Sequence, residues 1–289
     1  MRATTKVNPM KIFLCSIILI LMTSACKPQQ EKRSSPGGYN LQQPERFSLP
    51  ESLLEVSGIA FRNGDGDTIF AIQDEDGRLF RLAWNDRKQK NVSFAASGDY
   101  EDVTIMGNRV FILKSNGNIY SFLLAGATGK KVAEVTESKK LLPSGEYEGM
   151  FYDSLTNKLI VLCKECKADK KSKTITGYAL DHESGKLEFT GEFTIDYNSQ
   201  AEKNIIKGNL KPSALARHPL TKQWYILSSV NKLVLIVNDN WAIQEIHPLS
   251  SKVFNQPEGI AFDKSGNLYI SNEGDEITEG NILKFVYKP

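Results

Sequence analysis

Histidine, tryptophan and cysteine are scarce in this chain of 289 residues, with three, three and four copies respectively. The histidines are His182, His218 and His247, and none has a nucleophile partner at a spacing that suggests a catalytic triad. Two sit beside turns, Asp181-His182-Glu183-Ser184-Gly185 and His218-Pro219-Leu220-Thr221, so all three read as surface residues. No histidine lies within ten residues of the single close cysteine pair, Cys163 and Cys166, which leaves at most half of a structural zinc site. The glycines Gly64, Gly66, Gly77, Gly117, Gly266 and Gly280 fit turns and build no phosphate-binding loop. Charge of either sign is also missing in excess: 36 basic residues face 34 acidic ones. That balance gives no electrostatic footprint for nucleic acid, and Lys170-Lys171-Ser172-Lys173 reads as a solvated loop. Long apolar runs are absent as well, and the stretch from Gly58 to Val135 shows no amphipathic helix of four turns.

What is present begins with a leader. Arg2, Lys6 and Lys11 precede the apolar stretch Ile12 to Met22, whose eleven residues are too few to cross a bilayer but suit a signal peptide. Thr23-Ser24-Ala25-Cys26 follows, and resembles the lipobox of bacterial lipoproteins, with Thr23 in place of the usual leucine. On this reading 1–25 is removed and Cys26 carries the lipid; an ordinary cleaved signal is the alternative. Met10 is a second candidate start, since the motif is complete without the first nine residues. Cleavage removes the three basic residues named above, so the mature chain has 33 basic and 34 acidic residues. Residues 26–46 are polar and rich in Gln, Ser, Pro and Gly, the composition of a flexible tether. With no acidic run after Cys26, a bacterial outer-membrane anchor facing the periplasm is expected.

The body, 47–289, repeats itself. Pro257 to Val286 holds an apolar segment, an Asp-Lys-Ser-Gly turn, a second segment, a polar loop and a third. Related segments start at Ser57, Glu101, Glu148, Ser213 and Glu258, with spacings of 44, 47, 65 and 45 residues. Four strands per repeat are predicted, for example Gly58–Phe61, Thr68–Ile72, Arg78–Trp84 and Val92–Ala95 in the first. The second repeat is expected to end on Lys131–Val135, and Glu202–Lys207 to form a short helix. The second-strand register Phe70, Phe111, Ile160, Tyr225, Tyr269, followed two positions later by Ile72, Leu113, Leu162, Leu227, Ser271, puts these side chains on one face, packed between neighbouring sheets. Repeats of this length predict an all-β, five-bladed β-propeller. Its last repeat supplies only three strands, and Phe47–Leu49 is expected to close it as the fourth. The long third spacing reads as two insertions, Lys164–Lys173 and Tyr197–Lys211, or as a hidden extra blade.

The segments SGIAF, QDEDGRLFRL, DYEDVTI, EYEGMFYD, LIVLCKE, KPSALARHP and PEGIAFDKSGNLYISNEG together resemble the SdiA-regulated family of bacterial envelope proteins, over about Phe47 to Val286. The resemblance implies a five-bladed propeller distantly similar to NHL-repeat proteins, a calcium-binding site, and no established biochemical activity.

First strands line the axis of a propeller, so Glu101, Glu148 and Glu258, with Ser57 and Ser213 at the matching positions, are expected to converge at one mouth. Converging carboxylates repel unless a cation or a raised pKa relieves them, and oxygen ligands suit calcium. Asp74, Asn272 and Glu273, just after second strands, are further candidate ligands; a solvated channel rim is the alternative. Cys163 and Cys166 read as a local disulfide or as unpaired thiols, since a redox pair would precede a helix. No catalytic residue is assigned. The expected function is a calcium-binding propeller, anchored to membrane lipid through Cys26, that recognises an envelope protein or small-molecule ligand; the alternative is a calcium-dependent hydrolase of a lactone or phosphoester.

Overall fold

A computed structural model describes residues 35–84, 89–167, 169–183 and 185–289. The expected leader, Cys26 and the first part of the expected tether lie outside the described residues. The strands are β1 (Glu45–Ser48), β2 (Val56–Phe61), β3 (Thr68–Gln73), β4 (Arg78–Ala83), β5 (Lys90–Ser93), β6 (Tyr100–Met106), β7 (Arg109–Lys114), β8 (Ile119–Leu123), β9 (Thr136–Ser138) and β10 (Glu146–Asp153). They continue with β11 (Lys158–Glu165), β12 (Thr174–Glu183), β13 (Lys186–Asp196), β14 (Ala214–Arg217), β15 (Trp224–Ser228), β16 (Leu233–Val237), β17 (Ile243–Pro248), β18 (Pro257–Phe262), β19 (Leu268–Asn272) and β20 (Asn281–Phe285). They form five antiparallel four-stranded sheets, the blades of an all-β propeller. Four blades are consecutive meanders; the fifth has the order β1-β20-β19-β18. Phe47 pairs with Ile282 in that outer position, so the N-terminal strand closes the ring.

The second strands carry apolar residues at nearly every position because both of their faces are covered. All ten residues of the predicted register are buried, and they alternate between interfaces in a regular way. Phe70 and Ile72 of blade one pack with Val110 and Ile112 of blade two. Phe111 and Leu113 then meet Leu159 and Val161, Ile160 and Leu162 meet Trp224 and Ile226, and Tyr225 and Leu227 meet Leu268 and Ile270. Tyr269 returns to Ile69 and Ala71 of blade one. The hydrophobic core is therefore five layers, one per seam, and in each second strand alternate residues face the two neighbouring seams.

Three expectations need correction. The outer strand of blade two is β9, not Lys131–Val135, because that segment reaches back to the preceding blade: Lys131 bridges Ser93, and Val132 N–H donates to Ser93 O at 2.9 Å. Residues 35–44, placed in a flexible tether by their composition, pack on the body. Leu41 is buried in the seam between blades four and five, and Lys288 N–H donates to Gly38 O. Gly38, at φ 85°, is required there, because a Cβ would lie 2.3 Å from the Tyr287 ring. His218 and His247 are buried, not superficial. His218 Nδ1 accepts from the backbone N–H groups of Leu220 and Thr221, so it organises the turn from within, and burial followed by the Lys222 charge lowers its pKa to about 4.

The long third spacing holds no extra blade among the described residues. It is taken up by lengthened strands β12 and β13 and by two short helices, α1 (Asp169–Ser172) and α2 (Gln200–Ile205). Helix α2 starts on a capping box in which Ser199 Oγ accepts from Glu202 N–H and the Glu202 carboxylate accepts from Ser199 N–H.

Candidate cation site at the propeller mouth

The inner strands β2, β6, β10, β14 and β18 run in one direction along the axis, so their starts define one mouth. A cavity of about 260 Å³ lies there, lined by Ser57, Glu101, Glu148, Ser213 and Glu258, the five residues aligned by the repeat. Asp74 and Glu273 line it too, together with Asp99, Gln256 and Lys164. Of the six ligand candidates named from sequence, Asn272 is the one outside the lining. It is buried behind it, its amide donating to Asn281 Oδ1 at 3.2 Å, while its own buried Oδ1 accepts no hydrogen bond.

Local backbone geometry aims the ring inward. Each of four inner strands carries a register shift at its ring residue: between Val56 and Ile59, Tyr100 and Asp102, Tyr147 and Gly149, and Pro257 and Ile260. A β-bulge places two residues opposite one and turns a side chain off the regular alternation, which is how Glu101, Glu148 and Glu258 leave the seams and enter the mouth. The residue before the bulge is pinned in two blades. Tyr100 and Tyr147, both buried, each donate their hydroxyl to the carbonyl four residues earlier, Ala96 O at 2.8 Å and Pro143 O at 2.7 Å. The repeated Tyr-Glu pair is thus an anchor followed by a ligand candidate.

Among the described residues, six carboxylates and one lysine line this mouth. Burial raises the Glu101 pKa to about 8, and the charge of Asp99, with which it shares a hydrogen bond, adds to the effect. Glu273 is also pushed to about 8, by burial and then by Glu258 and Asp74. Asp74 rises to about 6 through burial and the nearby Glu55 and Glu75. Glu258 is raised mainly by burial, offset by Ser229, Lys164, Ser213 and Gln256. Asp74 Oδ1 is buried and accepts no hydrogen bond. Lys164 Nζ forms an ion pair with Glu148. All of these features describe negative charge held close together without enough positive charge to balance it.

Sequence reasoning missed Asp99, Gln256 and Lys164. The first two stand two positions before Glu101 and Glu258, and period-two geometry puts them on the same side; that signal was available. Lys164 lies at the end of β11, where nothing local marks the direction of its side chain. Cys163 and Cys166 form a disulfide with Cα atoms 5.9 Å apart. Among the described residues, the one trio of metal-ligand side chains with donor atoms within 4.8 Å of one another is Cys163, Cys166 and Asp169, and its sulfurs are bonded to each other.

A second, larger cavity of about 450 Å³ lies at the opposite ends of the inner strands and shares no residue with the acidic one. Its walls are mainly apolar, including Ile59, Val103, Met150, Leu215 and Ile260, and charges of both signs stand around them, Arg217, Lys222 and Lys264 with Asp102, Asp153 and Asp263. Arg217 is engaged there by Asp153 at 2.7 Å and by Asp239.

Fold and mouth together define a closed five-bladed propeller with a carboxylate-lined axial opening. The chain matches the SdiA-regulated family over residues 42–276 and belongs to that family. Its fold is similar to that of glutaminyl cyclase from Myxococcus xanthus, with a TM-score of 0.55 and 13% identity, covering 85% of this chain and 96% of that one. Virginiamycin B lyase from Staphylococcus aureus gives a TM-score of 0.46 and 18% identity, covering 84% of this chain and 69% of that one. At such identities the likeness concerns the fold alone. Comparison with curated proteins gives no significant match.

Proposed function

We propose that this propeller is a calcium-binding recognition module of the bacterial envelope, tethered to the outer membrane by lipid on Cys26. The observation that carries the metal reading is the convergence of Asp74, Asp99, Glu101, Glu148, Glu258 and Glu273 on one small cavity with a single lysine. The donor set fits the ion: it consists of carboxylates, the hydroxyls of Ser57 and Ser213 and the amide of Gln256, and hard cations prefer oxygen. The partnerless Asp74 Oδ1 fits as well, because a buried carboxylate oxygen without a donor is costly unless a cation meets it. Bound calcium would supply positive charge to groups contributed by the inner parts of several blades and so tie them together. Glu101, Glu258, Asp74 and Glu273 are the residues proposed to hold it, with Glu148 joining once released by Lys164.

The recognition role rests on the separation of the two cavities. A metal-dependent hydrolase needs a substrate-sized space beside the cation, whereas the larger space here lies at the other mouth. That mouth, with apolar walls and charges of both signs around them, supplies the surface for an envelope protein or small-molecule ligand.

Calorimetric titration of calcium into metal-stripped mature protein tests the assignment. A saturable heat with a dissociation constant of about 10⁻⁴ to 10⁻³ M is expected, the range of extracellular sites, together with a marked loss in Glu258→Gln. The absence of saturable heat in the parent protein contradicts the metal reading; equal affinity in the variant removes Glu258 from the site.

A further inference from the structure

The acidic mouth already contains one positive charge, and it comes from an unusual place. Lys164 is the second residue of Cys163-Lys164-Glu165-Cys166, the four-residue ring closed by the disulfide. Its ammonium pairs with Glu148, which is only 9% exposed, and its charge also acts on Glu101 and Glu258. One side chain therefore pairs with Glu148 and, at longer range, favours the charged forms of the other two glutamates of the repeat register. Its neighbour Glu165 is held by Lys211 in the opposite direction.

The disulfide is built into the wall beside the site. Cys163 is paired in register with Tyr147, the residue before Glu148, and its Sγ lies 3.3 Å from Glu146 O. Gly145 lies against both sulfurs: a Cβ there would be 2.9 Å from Cys166 Sγ and 3.2 Å from Cys163 Sγ. Both cysteines are buried. The bridge thus closes the end of β11 on itself, and this closed turn, which carries Lys164, is seated against the start of β10 by the pairing of Cys163 with Tyr147 and by Gly145.

We infer that Lys164 is a tethered counter-ion that occupies the cation site, that it must leave Glu148 for a divalent cation to bind, and that the Cys163–Cys166 bridge holds it in place. This rests on the calcium reading given above and concerns what sets the affinity of that site. A tethered competitor is present at a high effective concentration whatever the bulk conditions, so it weakens cation binding by a constant factor. An ammonium on a mostly buried carboxylate is a charge-assisted pair, and its removal is expected to change affinity about tenfold. Conversely, in the absence of metal it relieves repulsion among the carboxylates. The arrangement would keep the mouth folded when calcium is low and tune the site to the high calcium levels outside a cell.

The test compares calcium titrations of metal-stripped parent protein, Lys164→Gln, Lys164→Arg and parent treated with a phosphine reductant. Lys164→Gln is expected to bind calcium about tenfold more tightly than the parent, Lys164→Arg to stay close to the parent, and the reduced protein to move toward Lys164→Gln because its four-residue ring is open. Parent binding with no gain in Lys164→Gln overturns the counter-ion; gain in Lys164→Gln with none on reduction overturns the role of the bridge. If neither parent nor Lys164→Gln binds calcium, the calcium reading itself fails and exchange fails with it. Urea unfolding in chelator separates these cases from a folding defect. There Lys164→Gln is expected to lose stability and to regain it when Glu148→Gln is added, and loss without recovery contradicts the pairing.

Discussion

Replacement of Glu101 by Gln should stabilise the metal-free protein, and increasingly so as pH rises. Glu101 has its pKa raised from 4.5 to about 8, first by burial and then by Asp99. A carboxyl whose folded pKa lies above its unfolded value favours the folded state fully below the unfolded pKa, and that contribution is lost as pH rises through the folded value. The window here is pH 4.5 to about 8. At about 1.36 kcal/mol per pKa unit, the linkage integral gives a loss of about 2–3 kcal/mol between pH 6 and pH 8.5. Gln does not titrate, and its amide can still donate toward Asp99, so the variant escapes this loss while keeping the local hydrogen bond. Urea unfolding in chelator at the two pH values measures the effect as a double difference, which cancels any fixed cost of the substitution. An increase of about 2–3 kcal/mol in the relative stability of Glu101→Gln from pH 6 to pH 8.5 is expected, in line with the linkage relation. A double difference near zero, or of opposite sign, would refute the picture of a crowded, buried carboxylate ring.

Two other predictions concern the anchor and the core. Cys26→Ser should abolish lipid attachment and release the protein from the membrane fraction; unchanged lipid labelling would rule Cys26 out. Phe111→Ala should cost about 3–5 kcal/mol in urea unfolding, because Phe111 is fully buried in the seam between blades two and three; a cost below about 1 kcal/mol would mean that the seam collapses around the missing ring.

Much of the architecture was legible because the propeller repeats its own instructions. The second-strand register from Phe70 to Tyr269 encodes five seams, and the missing strand of the last repeat points to Phe47 as its partner. The glutamate ring was legible for the same reason: a residue's place in the repeat fixes its place around the axis. Features that do not repeat were harder. Lys131 crosses to another blade, and the segment around Tyr39 and Leu41 docks through a few aromatic and apolar contacts within a polar stretch. The sequence around His218 looks like an exposed turn, yet the ring is enclosed by Phe262 and Tyr287, at centroid distances of 4.9 and 4.8 Å. Lys164 belongs to the same group, since its direction depends on how the bridge closes the end of β11 and on which charges wait across the axis.

A crystal structure of the mature protein grown at saturating calcium tests the central claim most directly. The account predicts an ion at the acidic mouth, bonded to oxygens of Glu101 and Glu258 and to at least one of Asp74 and Glu273, with the Lys164 ammonium withdrawn from Glu148. A mouth without an ion under those conditions, with Lys164 still paired to Glu148, would contradict it.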